Sequence, residues 1–262
     1  MDLGLRDRVA LVAAGSKGLG RAVAAELAAE GAAVVICARG RAALEAACEH
    51  IQRLGGRAHL VVADVAVPDE PTRVVAEAQQ VFGPVDILVT NSGGPRAGRF
   101  EDLTPEDWAA ATRVLLSSAV EFARAVLPGM RERRWGRILN ITSIAAKQPV
   151  EGLMLSNSLR SAVTAFGRTL ANEVAAEGVT VNNLMPGYTR TERVVELSEQ
   201  IAAAGGTTPD AVVRRWEAEI PMRRIGEPRE FAALAAFLAS ERANYITGQS
   251  IAVDGGWIRS VL

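Results

Sequence analysis

At 262 residues, 49% of them apolar, the chain is long enough to bury a large core within one α/β domain. Its formal net charge of −1, with no long run of one sign, argues against a nucleic-acid surface, and the local group Arg131, Arg133 and Arg134 reads as the solvated end of a helix. No apolar stretch approaches the roughly 18 residues of a membrane span, and residues 1–8 lack a signal-peptide core, so no membrane partner and a cytoplasmic location are expected.

The first element is a continuous apolar run at 9–13, the pattern of a strand buried on both faces of a parallel sheet. Leu19, Val23 and Leu27 then recur at helical spacing. Between strand and helix stand Gly15, Ser16, Lys17, Gly18, Leu19 and Gly20. Glycines there turn the chain sharply and leave the amides of a helix N-terminus open, an arrangement that attracts phosphate. A nucleotide pyrophosphate site is one reading; a tight strand-to-helix turn without a ligand is the other.

Further strands are expected at 33–37, 58–63, 86–90, 137–141, 180–184 and 250–253, and helices at 42–54, 69–82, 105–133, 151–176 and 227–239. Seven strands with helical crossovers imply a single doubly wound α/β domain over 1–262. It would be Rossmann-like, with a seven-stranded parallel sheet and helices on both faces. Residues 189–224 interrupt the rhythm with two polar helical pieces around Gly205-Gly206-Thr207-Thr208-Pro209, which suggests a lid over the carboxyl ends of the strands or a surface used between subunits. Apolar Leu115, Leu116, Phe122, Val163 and Phe166 on the long helices exceed what one sheet face needs, so a homodimer or homotetramer is expected.

Cys37 and Cys48 have no metal or redox spacing and read as reduced structural thiols. His50 and His59 read as surface or satisfied side chains, and no metal site is expected.

The glycine loop resembles the Thr-Gly-x-x-x-Gly-x-Gly loop of the short-chain dehydrogenase/reductase family, with Ala13 and Ala14 where that family has Thr and its first Gly; Gly15 is expected to supply the missing turn freedom. Asp64-Val65, Thr90-Asn91-Ser92-Gly93, Ile141-Thr142-Ser143, Pro186-Gly187-Tyr188-Thr189-Arg190-Thr191 and Val253-Asp254-Gly255-Gly256 are similar to later family blocks in the same order. The resemblance, which is to the family's 3-oxoacyl carrier-protein reductases, implies a nicotinamide dinucleotide bound across the sheet. Asp64 and Val65 would lie at the adenine, Asn91 and Gly93 at the ribose, and Pro186, Gly187 and Thr189 at the nicotinamide. Where an acidic residue would select NAD(H), the sequence has Ala38 followed by Arg39. With Lys17, Arg39 offers charge to a 2′-phosphate, which favours NADP(H) over NAD(H).

The catalytic positions depart from the family. Ser143 matches its Ser, but Ser156 stands for Tyr, Arg160 for Lys and Leu115 for Asn. A phenol lowered by a nearby ammonium exchanges protons near neutral pH, whereas a serine hydroxyl is a far weaker acid and a guanidinium holds its proton. Ser156 and Arg160 lie four apart, on one helical face, and are expected to present a hydroxyl and a cation to the nicotinamide. Of the two tyrosines, Tyr188 is read as aromatic packing near the nicotinamide and Tyr245 as structural. Three readings stand: an NADP(H)-dependent oxidoreductase of a small carbonyl or alcohol, anionic in one version; a catalytically silent NADP(H)-binding sensor or scaffold; and a non-redox lyase or epimerase.

Overall fold

Strands β1 (Val9–Ala13), β2 (Ala33–Ala38), β3 (Arg57–Val62), β4 (Ile87–Thr90), β5 (Gly136–Ile141), β6 (Val179–Pro186) and β7 (Ser250–Val253) run parallel in one sheet, ordered β3-β2-β1-β4-β5-β6-β7. They belong to a computed structural model that describes residues 2–261. The helices are α1 (Gly18–Ala29), α2 (Arg41–Arg53), α3 (Glu70–Phe82), α4 (Pro105–Thr112), α5 (Ser118–Glu132), α6 (Met154–Val174), α7 (Glu192–Gly205), α8 (Pro209–Glu219) and α9 (Pro228–Ala239). All seven expected strands form, and the sheet is doubly wound.

The period-two geometry of a strand explains why the runs are apolar throughout. Along β1, Ala10 and Val12 enter one layer with Leu27 of α1 and Phe231 of α9. Leu11 and Ala13 enter the other, with Val74 of α3, Phe122 of α5 and Leu170 of α6. Between β1 and β4 the strand order reverses, so the crossovers part and a crevice opens at the carboxyl ends, where ligands bind in such sheets. No helix of the described residues is long and apolar enough to cross a membrane.

Three sequence expectations need correction. The helix expected over 105–133 is two helices joined by a π-helical turn at Arg113–Ser117, where Ser118 Oγ donates to the Val114 carbonyl at 2.6 Å and occupies an acceptor in the widened turn. The helix expected from 151 begins at Met154, because Gly152 sits at φ 74° and breaks the preceding backbone. Of the five apolar residues read as surplus, Leu115, Phe122 and Val163 are buried within the chain; Leu116 and Phe166 are half-buried.

Asn140 and Asn183 are polar residues inside otherwise apolar strands, and they form a buried relay across the sheet. Thr90 Oγ1 donates to Asn140 Oδ1 at 2.7 Å, Asn140 Nδ2 to Asn183 Oδ1 at 3.0 Å, and Asn183 Nδ2 to the Thr164 carbonyl and Ser250 Oγ at 3.2 Å each. A paired amide in the interior is tolerated where an unpaired one would cost about 1–3 kcal/mol. The relay ties β4, β5, β6 and β7 to α6 just below the crevice.

Candidate active site

The glycine loop is shaped by close approach as much as by turn freedom. Ala14 holds φ 48° and Gly18 φ 52°, so the left-handed residue is Ala14 itself and not Gly15, which corrects the expectation that Gly15 supplies the freedom. Gly15 is small for another reason: a Cβ there would lie 2.8 Å from Ile36 Cγ2. A Cβ on Gly20 would overlap the Ala14 carbonyl oxygen and lie 2.8 Å from Asn91 Nδ2, which itself donates to that carbonyl at 3.4 Å. Lys17, the residue before α1, makes no side-chain cap, so the first-turn amides keep their donors.

Ala14 in the left-handed region carries strain that glycine avoids. Ala14→Gly is therefore expected to stabilise the fold by about 0.5–1 kcal/mol, the strain of an alanine there outweighing the larger unfolded entropy of glycine. A denaturation midpoint equal to or below that of the wild type would contradict this.

Because the strands are parallel, residues that follow β1, β2, β3, β4 and β6 gather at one edge of the sheet. Ser16 and Leu19 are half-buried, while Lys17 and Arg39 are exposed, and a Cβ added to Gly40, beside Arg39, would meet nothing within 4 Å. Asp64 Oδ1 accepts from the Ala66 amide at 3.0 Å, which orders the turn after β3 with Val65 half-buried. Asn91 faces the glycine loop and Gly93 borders open space. At the end of β6, Gly187 passes so close to Asp254 that a Cβ would lie 2.7 Å from its Cα, and Thr189 Oγ1 donates to the Gly187 carbonyl at 3.3 Å. Cys37 lies under this edge. Burial pushes its thiol up to about 12, which makes it a packing group and not a nucleophile.

The altered positions lie over β5 and α6. Ser143 Oγ accepts from the Ala145 amide at 3.1 Å, which leaves its own proton to donate. Ser156 is half-buried on the first turn of α6. Arg160, one turn on, points its Nη1 at the end of β5, donating to the carbonyls of Ile141 at 3.1 Å and Thr142 at 2.9 Å. Hydroxyl and cation thus share a helical face as expected, but one nitrogen of the cation is turned inward onto backbone. Burial, and secondarily the charge of Arg193, bring the Arg160 guanidinium down to about 10. It still carries its charge at neutral pH. A cavity of about 10 Å³, lined by Arg160, Asn91, Ser92, Leu115 and Thr142 among others, lies beside it. Leu115 belongs to an apolar cluster with Leu103, Ala111, Leu155 and Leu159. Asn157 fixes the loop before α6, its Oδ1 accepting from the Val150 amide at 3.2 Å and its Nδ2 donating to the Val150 carbonyl at 2.9 Å.

Neither tyrosine offers a phenol to this pocket near neutral pH. Tyr188 stacks on Trp216 with ring centroids 4.5 Å apart and meets Trp257 edge-on at 6.1 Å, the aromatic packing expected of it. Burial pushes its hydroxyl up to about 12, with Glu219 adding to the shift. Tyr245, read from sequence as structural, is instead fully exposed, in the turn at 244–245 ahead of β7.

Residues 189–224 form α7 and α8 around a small core of Ala202, Val212, Trp216 and Ile225. A backbone bridge between Thr189 and Gly226 closes the segment at its base. Its first helical turn lies over the crevice. Thr191 Cγ2 would be 3.4 Å from a Cβ on Gly18 and Glu192 Oε2 3.7 Å, while Arg193 Nε would be 3.0 Å from one on Gly94. The sequence alone does not single out Arg193, since nothing local separates it from the rest of the chain's 29 Lys and Arg residues. Only the fold of the segment carries it back over β4.

A doubly wound parallel sheet with a tight glycine turn and an uncapped helix N-terminus after β1 defines a Rossmann-like α/β protein. A family model described as enoyl-(acyl carrier protein) reductase matches residues 13–258. The chain is 36% identical over 251 residues to the short-chain reductase protein NovJ of Streptomyces niveus, covering 96% of this chain and 94% of that one. It is 34% identical over 254 residues to a 3-oxoacyl-(acyl-carrier-protein) reductase of Vibrio cholerae, covering 97% and 98%. Among solved structures, L-sorbose reductase from Gluconobacter frateurii, complexed with NADPH and L-sorbose, superposes with a TM-score of 0.94 at 33% identity, covering both chains fully. The chain belongs to the short-chain dehydrogenase/reductase family, and within it resembles the 3-oxoacyl carrier-protein reductases.

Proposed function

We propose that the chain is an NADP(H)-dependent oxidoreductase that reduces a small carbonyl compound, or oxidises the matching alcohol, with Ser143, Ser156 and Arg160 in the working pocket. The observation that carries this reading is the uncapped N-terminus of α1 beside the tight Gly20, with Lys17 exposed just before it and Arg39 exposed beside open space at Gly40. Those amides would hold a diphosphate and those cations a 2′-phosphate. The relatives support it: that of Vibrio cholerae is a reductase by name, and the Gluconobacter enzyme was solved with NADPH. When bound, the nicotinamide supplies or accepts the hydride.

The chain's own residues do the rest. Ser143, accepting from Ala145, donates its proton as a hydrogen bond to the carbonyl oxygen. Arg160 contributes a fixed positive charge to the pocket in which that oxygen gains negative charge. The proton that completes the alcohol comes from water, because neither a guanidinium near 10 nor a phenol near 12 releases one readily at neutral pH. Residues 189–224 act as the lid. The second reading, a silent NADP(H)-binding sensor or scaffold, is favoured by Leu115, whose apolar surroundings replace a polar group.

Steady-state oxidation of NADPH over a panel of carbonyl compounds, beside a binding isotherm, separates the two readings. Turnover of any panel member supports the enzyme, saturable binding with a silent panel the sensor, and absence of binding sinks both. NADPH should bind more tightly than NADH by about 1.5–3 kcal/mol, one charge-assisted phosphate contact, and Arg39→Ala should remove most of that preference. Equal calorimetric affinities would refute the role of Arg39.

The protein is further proposed to be cytoplasmic and to assemble as a homodimer or homotetramer through its long helices. Light scattering at micromolar concentration should give a mass of at least two chains; a monomer would contradict this assembly.

A further inference from the structure

Two guanidinium groups border the loop of Asn91, Ser92, Gly93 and Gly94, and both have donors that the protein leaves unused. Arg160 spends one nitrogen, Nη1, on two backbone carbonyls. Among the described residues its Nε and Nη2 make no hydrogen bond, although the side chain is half-buried. Arg193 lies across the loop, with Nε 3.0 Å and Nη2 3.2 Å from where a Cβ on Gly94 would stand. Its ion-pair partner, Glu196, is 3.9 Å away, beyond hydrogen-bonding reach. Arg224, by contrast, is held by both oxygens of Glu230 at 2.6 and 2.7 Å.

Arg160 and Arg193 border the same loop and, among the described residues, neither is hydrogen-bonded to a carboxylate; burial first, and the charge of Arg193 second, lower the affinity of Arg160 for its proton. An anion seated between them would relieve both and satisfy the idle donors, which have the fork geometry that suits a carboxylate or phosphate. Ser156, half-buried one turn before Arg160, adds a hydroxyl on the same face of α6.

We propose that Arg160 and Arg193 together grip a carboxylate or phosphate group of the substrate, so that the carbonyl compound is an anion and the first turn of the lid reads its charge. The term substrate rests on the oxidoreductase reading; the anion site does not. The diphosphate of the cofactor is the other source of the same chemistry. It belongs, however, at the N-terminus of α1, where Thr191 and Glu192 lie beside Gly18, whereas Arg193 lies over Gly94.

The test is calorimetric titration of the protein, saturated with NADP⁺, by malonate and by its neutral counterpart malonamide, with NADPH affinity measured separately by fluorescence. Malonate should bind and malonamide should not. Arg160→Gln and Arg193→Gln should each weaken malonate at least about tenfold, while Arg193→Gln changes NADPH affinity by less than about threefold. Equal binding of the two probes, binding of neither, or malonate affinity untouched by the substitutions would overturn the proposal. A tenfold loss of NADPH affinity in Arg193→Gln, with malonate binding unchanged, would give the cation to the cofactor instead. Should the wild type bind no NADPH, the cofactor reading falls alone, and malonate titration of the chain without nucleotide still decides the anion site.

Discussion

Gly20→Ala is expected to weaken NADPH binding by at least about a hundredfold, some 2.7 kcal/mol, while leaving most of the sheet intact. The added methyl would overlap the Ala14 carbonyl oxygen, which is backbone, and press on Asn91 Nδ2. Ala14 closes the strand-to-helix turn in a left-handed conformation, and Asn91 leaves the end of β4. Asn91 Nδ2, a side-chain end, can move aside, but the Ala14 carbonyl is backbone, so the start of α1 must shift away. Such a shift tilts the first-turn amides, and the loss falls on phosphate binding more than on burial, because Val23 and Leu27 lie one and two turns further into the core. Isothermal titration with NADPH, alongside a thermal melt without nucleotide, reads the two effects apart. An unchanged Kd would mean that the loop is a plain turn and not a phosphate cradle.

The fold was legible because five of its seven strands are buried on both sides. An uninterrupted run such as residues 33–37 has few alternatives to an interior parallel strand, and the register of β2 between β1 and β3 bears this out. Local geometry was less visible. The π-helical turn at Arg113–Ser117 has no breaker in its sequence, only apolar and polar residues that would suit a regular helix. The strain at Ala14 was hidden by the adjacent Gly15, the residue that conformational preference alone would select, because the packing of Ile36 was not available to overrule it. In the site, positions that follow strands were readable by their place in the chain. Arg193 was not, for its closeness to Gly94 depends on the path of residues 189–224, and an inserted segment carries no periodic signal of where it lands. The inward turn of Arg160 was hidden for a similar reason: helical spacing fixes the face of α6 on which it stands, but not the two carbonyls within its reach.

Arg160→Met should lower kcat/KM for a carbonyl substrate by about a hundredfold or more, a loss of roughly 2.7 kcal/mol, because the half-buried cation that holds the substrate and adds positive charge to the pocket is removed. Methionine keeps the apolar bulk beside the small cavity, so the fold should survive and the effect should sit in the chemistry. The companion experiment is to install the family's own pair, Ser156→Tyr with Arg160→Lys. If the guanidinium is there to serve this chain's substrate, that double variant should also fall below the wild type, since an ammonium replaces a fork by a single point and a phenol fills the volume that serine leaves open. Adding Leu115→Asn should make matters worse for a separate reason. An amide there gives up packing against Leu103, Leu155 and Leu159 and should cost about 1–3 kcal/mol of stability, visible as a lower melting temperature, even with polar groups across the small cavity. The opposite outcome is as informative: a double variant more active than the wild type over the same carbonyl panel would mark the chain as a reductase that lost its proton donor, and would support the silent nucleotide-binding reading. Wild-type turnover that persists unchanged in Arg160→Met would remove Arg160 from the working pocket altogether.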